Sequence, residues 1–123
     1  MDCEWNDRQP IYRQIRERVV AMILDGTLNE GDALPSVRTV AADLRVNPLT
    51  VLKAYQALAD EQVVETRRGV GMFVSAGAAS RLQVAERARF LAEEWPQVLA
   101  TINRLGLTLE QLATEAKPPA KRK

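Results

Sequence analysis

Four cationic side chains, those of Arg38, Lys53, Arg67 and Arg68, are of the types that suit contacts with nucleic acid. Arginine presents a planar fork of donors for phosphates and base edges, and lysine supplies a point charge. Enzyme chemistry has less support, because the chain contains no histidine and one cysteine, Cys3. Ordinary zinc sites and histidine-based acid–base catalysis are therefore excluded, and no nucleophile or phosphate-loop motif occurs. We predict no enzyme, no catalytic residue, no metal and no cofactor.

The overall charge gives no sign of a nucleic-acid partner. The net charge is +1, and residues 1–75 hold nine Lys/Arg against eleven Asp/Glu. Any DNA-binding face must therefore be a local patch formed by the four cations. No apolar run approaches the roughly 20 residues of a membrane span, and no signal segment begins the sequence, so we expect a cytoplasmic protein without a membrane partner.

The elements that would position these cations begin with residues 34–58. Ser36 is a good N-cap for a short helix, and Asn47 caps a second helix with Pro48 at its first position. Lys53 lies off the apolar stripe of the second helix and should face outward. Two helices and a tight turn match a helix-turn-helix, whose second helix enters the DNA major groove. An ordinary helical hairpin in an unrelated core fits the same pattern.

The residues that follow favour the DNA-binding alternative. Two short apolar-rich runs, 63–66 and 72–75, flank a glycine-containing turn and predict a β-hairpin. A helix-turn-helix followed by a hairpin is a winged helix. The turn carries Arg67 and Arg68, which suit phosphate and minor-groove contacts, and Gly69, which lets backbone approach DNA closely. A solvated basic turn is the alternative, but the preceding helices favour a wing.

Several short motifs occur in order over residues 9–75. They are Pro10-Ile11-Tyr12-Arg13-Gln14-Ile15, Gly26-Thr27-Leu28, Gly31-Asp32, Leu34-Pro35-Ser36-Val37-Arg38, Val46-Asn47-Pro48-Leu49-Thr50-Val51, Lys53-Ala54-Tyr55 and Arg67-Arg68-Gly69-Val70-Gly71-Met72-Phe73-Val74. Together they resemble the GntR superfamily of bacterial transcription regulators, in order and in spacing. One departure is Gln62, where the family usually has the glycine that ends the recognition helix, so the position of the helix end stays open.

The resemblance implies a set of DNA contacts. An arginine at the position of Arg38 reads a guanine in the family, and a bidentate contact of this kind contributes about 1–3 kcal/mol of discrimination. The family often has arginine where this sequence has Pro48, so one usual base contact is absent. Hydroxyl and lysine side chains would hold phosphates, and the wing glycine would lie at the minor groove. The residues expected to contact DNA are Ser36, Arg38, Thr39, Asn47, Pro48, Thr50, Lys53, Arg67, Arg68 and Gly69.

A helical tail follows a small-residue linker at residues 77–79. Its apolar residues are spaced alternately by four and three, which makes a heptad seam over three repeats. The seam consists of Val84, Ala88, Leu91, Trp95, Val98, Ile102 and Leu105. It can pair with a second chain or fold back on the winged helix, and its length favours a homodimer. Pro96 should kink one continuous helix rather than separate two helices.

Three parts are therefore expected. They are a winged helix-turn-helix DNA-binding domain at 1–76, beginning with a loose arm at 1–8, a helical dimerisation segment at 77–116 and a disordered basic tail at 117–123. Thr108 would cap the last helix. The short tail resembles the YtrA-like subfamily, whose two-helix C-terminus serves dimerisation.

The sequence thus predicts a mainly α fold with a small β-hairpin. We expect a homodimeric repressor of a transporter operon that binds an inverted-repeat operator. Its partners would be double-stranded operator DNA, a second copy of the chain and an unidentified small-molecule effector. The competing hypothesis is a winged-helix protein-interaction module without specific DNA binding, which the balanced charge permits. A sequence-specific shift of DNA would discriminate between the two.

Overall fold

The computed structural model describes residues 5–115. Its helices are α1 (Ile11–Leu24), α2 (Val37–Leu44), α3 (Pro48–Asp60), α4 (Ala78–Arg89), α5 (Trp95–Arg104) and α6 (Leu109–Glu115). Strands β1 (Val64–Arg67) and β2 (Gly71–Val74) follow α3, and a π-helical turn (Phe90–Glu94) lies between α4 and α5. The predicted class, mainly α with a small hairpin, is confirmed. None of the described helices is long and apolar enough to cross a membrane, and the basic segment 117–123 and Cys3 lie outside the described residues.

The chain divides into two compact units, one ending at Val84 and the other beginning at Ala85. The first unit contains α1 to α3, the hairpin and the start of α4. Ala78 and Leu82 of α4 are buried in its core. This unit therefore extends beyond residue 76, where the sequence suggested a boundary.

Helix α3 lies at the centre of the first unit. Its residues Val51, Ala54 and Leu58 have no exposed surface, and the helix contacts both α1 and α2. These residues recur at intervals of three and four, so one face of α3 is buried and the other is left for solvent.

Local hydrogen bonds fix the start of α2 and α3 as the sequence predicts. The Ser36 hydroxyl accepts from the Thr39 amide at 3.0 Å, and the Asn47 side-chain oxygen accepts from the Leu49 amide at 2.8 Å. Arg45 between the helices adopts a left-handed conformation with φ of 56°. The helix-turn-helix is therefore built from local capping and a tight turn.

The end of α3 resolves the question raised by Gln62. The helix ends at Asp60, and Gln62 has a φ of 63°, a conformation that favours glycine. The Val63 amide donates to the Leu58 carbonyl at 2.9 Å, which closes the helix end. The guanidinium of Arg81 donates to the Gln62 carbonyl at 2.7 Å and so ties this end to α4.

The hairpin is antiparallel, with Val64 opposite Val74 and Arg67 opposite Gly71. The loop before α2 pairs with the outer edge of β2: the Leu34 amide donates to the Met72 carbonyl at 2.8 Å, and the Val74 amide donates to the Asp32 carbonyl at 2.9 Å. The wing is therefore attached to the loop that leads into α2.

The segment before α1 is not the loose arm that the sequence suggested, at least from residue 5 onward. The side chain of Gln14 is buried, accepts from the Asn6 amide at 3.1 Å and donates to the Asn6 and Gln9 carbonyls at 3.0 and 2.9 Å. Trp5 packs against the core and lies beside the Arg18 guanidinium. One buried amide thus fixes a segment whose sequence carries no regular pattern.

In the second unit the helix passes from α4 to α5 without a break, as predicted. A π-helical turn joins the two helices, and in it the Trp95 amide donates to the carbonyl of Phe90 five residues earlier. Pro96 follows directly and has no amide proton, so the wider turn takes up the disruption that a proline causes in a helix. Phe90 and Trp95 lie one π turn apart, with ring centroids separated by 6.4 Å.

Helix α6 begins with the cap that the sequence predicts. The Thr108 amide donates to the Gln111 side chain at 2.8 Å, and the Gln111 amide donates to the Thr108 hydroxyl at 3.2 Å. This reciprocal pair is a capping box.

Candidate nucleic-acid interface

An open groove of about 610 Å³ lies between the starts of α2 and α3. Ser36, Val37, Arg38 and Pro48 line it. The groove brings together the arginine expected to read a guanine and the first residue of α3, although the two are ten positions apart in the sequence. Its walls offer a hydroxyl and a guanidinium beside two apolar side chains.

A hydrogen bond between α3 and the loop that leads into α2 supports this groove. The Tyr55 hydroxyl of α3 donates to the Pro35 carbonyl at 2.8 Å. Burial raises the pKa of Tyr55 to about 12, so the hydroxyl keeps its proton throughout the physiological range. The residue that precedes the Ser36 cap is therefore held against α3.

The small polar side chains of the interface are oriented by their own caps. The Ser36 hydroxyl donates to the Thr39 hydroxyl at 2.8 Å, and both side chains are exposed. Asn47 uses its oxygen for the cap, and its amide nitrogen has no hydrogen-bond partner within residues 5–115. Thr50 is half-buried. Asn47 can therefore donate to an external acceptor without losing its structural role.

Lys53 is exposed on α3, and its ammonium lies 4.2 Å from the ring centroid of Tyr12. Such a cation–π contact contributes about 0.5–1 kcal/mol at an exposed site. Tyr12 belongs to the first turn of α1, so the contact depends on how α1 packs on α3. The sequence identified Lys53 but gave no sign of this neighbour.

The two arginines of the wing have different surroundings. The Arg67 guanidinium lies 4.1 Å from the ring centroid of Phe73 and 3.1 Å from a Glu65 carboxylate oxygen. Arg68 is exposed at the turn and has no ion pair or ring contact within the described part of the chain. Gly69 has a φ of 75°, and nothing lies within 4 Å of the place that a Cβ would occupy. The tip therefore presents one uncommitted cation beside open backbone.

An ion pair at the far end of α3 neutralises one acid. Arg16 of α1 holds Glu61 with two hydrogen bonds, of which the one from Nε measures 2.6 Å. The Arg16 hydrogen bond lowers the pKa of Glu61, with a smaller opposing effect from burial. This carboxylate is thus engaged within the fold.

Two apolar side chains on the outward face of α3 were absent from the sequence-based set. Leu49 is 70% exposed and Leu52 is 38% exposed. Both lie off the buried stripe that contains Val51 and Ala54, which is the sequence signal that could have identified them. These two leucines lie on the same outward face of α3 as Lys53, and neither belongs to the core of the first unit.

The seam predicted for dimerisation is split by the π-helical turn. One extra residue within a helix rotates all later residues by about 100°. Val84 and Ala88 precede the turn, Leu91 lies within it, and Trp95, Val98 and Leu105 follow it. The residues before and after the turn therefore do not form one straight row. The exposed fractions are 70% for Val84, 53% for Leu91, 43% for Val98 and 64% for Leu105, whereas Trp95 is half-buried and Ile102 is 6% exposed.

The comparisons with known proteins agree on one class. The family model described as "Bacterial regulatory proteins, gntR family" matches residues 11–74. The HTH-type transcriptional repressor YtrA of Bacillus subtilis is 38% identical over 103 residues, which cover 84% of this chain and 78% of that protein. The uncharacterised HTH-type transcriptional regulator YhcF of the same organism is 32% identical and is matched over 91% of both chains. A GntR family transcriptional regulator from Listeria monocytogenes has a similar structure, with a TM-score of 0.71, 31% identity and coverage of 89% of this chain and 95% of that one.

Proposed function

Because this chain belongs to the gntR family of bacterial regulatory proteins and is a DNA-binding transcription regulator, we propose that it acts as a homodimeric repressor on an inverted-repeat operator. Helix α3 enters the major groove and the wing reaches the neighbouring minor groove. The repressor role follows from the similarity to YtrA, which is named as a repressor. The protein works in the cytoplasm, and a transporter operon is the proposed target.

The groove at the starts of α2 and α3 carries this proposal. Arg38 lies on its wall, is exposed and is free to make a bidentate contact with a guanine. Lys53 of α3 and Arg68 of the wing supply charge for phosphates, and Ser36 and Asn47 supply shorter polar groups. The proposed DNA contacts are Ser36, Arg38, Thr39, Asn47, Pro48, Thr50, Lys53, Arg67, Arg68 and Gly69.

The second unit is proposed to pair with its copy. Exposed apolar side chains occur on both sides of the π-helical turn, and Val98 and Leu99 are adjacent members on α5. Ile102 is buried in the single chain and adds little exposed area to this face. The contacts proposed for the dimer are Val84, Ala88, Leu91, Trp95, Val98, Ile102 and Leu105. An unidentified small-molecule effector would bind at this interface or beside the winged helix.

Selection of bound sequences from random duplex DNA tests the DNA-binding part of the proposal. We expect enrichment of an inverted repeat whose half-sites each contain a guanine that Arg38→Ala no longer selects. A protein-interaction module would enrich no sequence and would show only weak binding that moderate salt removes. Lack of enrichment would therefore reject specific DNA binding.

Sedimentation of charge variants tests the dimer. Val98→Asp places a carboxylate on the apolar face of α5, and we expect a monomer at micromolar concentration with much weaker operator binding, because two linked half-sites bind with an avidity that one lacks. Ala100→Asp is the matched control, because Ala100 lies two residues further on the opposite, exposed face of the same helix. A wild-type monomer, or a Val98→Asp dimer, would contradict this part of the proposal.

A further inference from the structure

The outward leucines of α3 have an arrangement that needs explanation. Leu49 lies in the first turn of the helix and Leu52 lies three residues later on the same side. Leu49 exposes 70% of its surface, far more than a residue that supports the core. A single exposed leucine is common, but this pair occupies the face that also carries Lys53.

The position of Leu49 determines what it can touch. The N-terminal part of the recognition helix is the part that reaches base edges in a helix-turn-helix complex. Its neighbours along the chain there are Pro48, which is exposed, and Asn47, whose side chain caps the same turn. An aliphatic side chain among these groups can neither donate nor accept a hydrogen bond, so it adds only apolar contact.

The major groove offers one apolar feature that distinguishes base pairs, the C5-methyl group of thymine. A leucine facing cytosine would instead cover an amino donor and leave it without a partner. We propose that Leu49 reads the methyl group of a thymine in each half-site, with Leu52 extending the apolar surface toward the next base step. This inference rests on the proposed entry of α3 into the major groove.

The test removes the methyl group and nothing else. Replacing one thymine at a time by deoxyuridine in the selected operator keeps base pairing unchanged. Burial of one methyl-sized group corresponds to about a fourfold change in affinity. We expect wild-type protein to lose about fourfold at one thymine of each half-site and Leu49→Ala to bind both versions of that site equally, as measured by fluorescence anisotropy at fixed salt.

Two further variants keep the result interpretable. Leu24→Ala removes another exposed leucine, at the end of α1, and should retain the full methyl sensitivity. Leu49→Asn should lose the selection for thymine at this position when the random-DNA selection is repeated. If Leu49→Ala keeps the full methyl sensitivity at every thymine, or if no thymine is methyl-sensitive in the wild type, the inference is wrong. The proposal of specific operator binding is not affected by either result. A selection that enriches no sequence would overturn the proposed function as well.

Discussion

Replacement of Gln62 by glycine should stabilise the protein. Gln62 is exposed and holds a φ of 63°, so its side chain contributes strain without core packing. A non-glycine residue in this conformation costs about 1–2 kcal/mol, and glycine loses about 0.5–1 kcal/mol more backbone entropy on folding. At the midpoints of these ranges the net gain is about 0.75 kcal/mol, which corresponds to a rise in Tm of roughly 3–6 °C for a unit of this size. The hydrogen bond from Arg81 goes to the backbone carbonyl of residue 62 and survives the change.

Urea unfolding and calorimetry measure this gain. Gln83→Gly is the matched control, because Gln83 is an exposed residue within the regular helix α4. Glycine there should destabilise by about 0.5–1 kcal/mol. If both variants lose stability by similar amounts, the left-handed backbone of residue 62 carries no strain and the reasoning fails. Operator affinity should be equal in the wild type and Gln62→Gly.

Three further predictions concern charged side chains. Lys53→Ala should weaken binding to cognate and scrambled duplexes alike and reduce the slope of log K against log salt by about 0.9. Arg38→Ala should instead remove about 1–3 kcal/mol of binding free energy from the cognate duplex alone. Anisotropy titrations over a salt series check both, and equal losses on the two duplexes would contradict the role of Arg38. For the Arg16–Glu61 pair, a lowered carboxyl pKa in the folded state means stability that is present above the unfolded pKa of about 4.3 and lost as the pH falls through the lower folded pKa. Glu61→Gln should therefore cost about 0.5 kcal/mol at pH 7, a value reduced by solvent screening, and less at pH 3 in urea unfolding. A difference independent of pH would count against the ion pair.

The parts of the fold that depend on neighbouring residues could be predicted from the sequence. The Ser36 and Asn47 caps and the Thr108 capping box each join groups two or three residues apart, and the structure contains all of them. The hairpin around Gly69 is also local. Such interactions need only the correct residue types at fixed offsets.

Features that join distant segments could not be read in this way. Arg81 supports the carbonyl of Gln62 across 19 positions, and the contact of Lys53 with Tyr12 requires the packing of α1 on α3. Pro96 illustrates an intermediate case. Its sequence predicts a disturbed helix, but a bend and a π-helical turn both relieve the missing hydrogen bond, and local pattern does not choose between them.

The surroundings of β1 have a consequence for behaviour in solution. The loop before α2 covers the edge of β2, and within residues 5–115 the other edge of the hairpin, on β1, pairs with no strand. Open edges are templates for fibril-like stacking of one molecule on another. This edge is four residues long and carries Glu65 and Arg67, which form an ion pair. Pairing with the strand of another molecule would remove water from both charged groups. The wing can therefore stay exposed for the proposed contact with DNA without offering a long, apolar edge for aggregation.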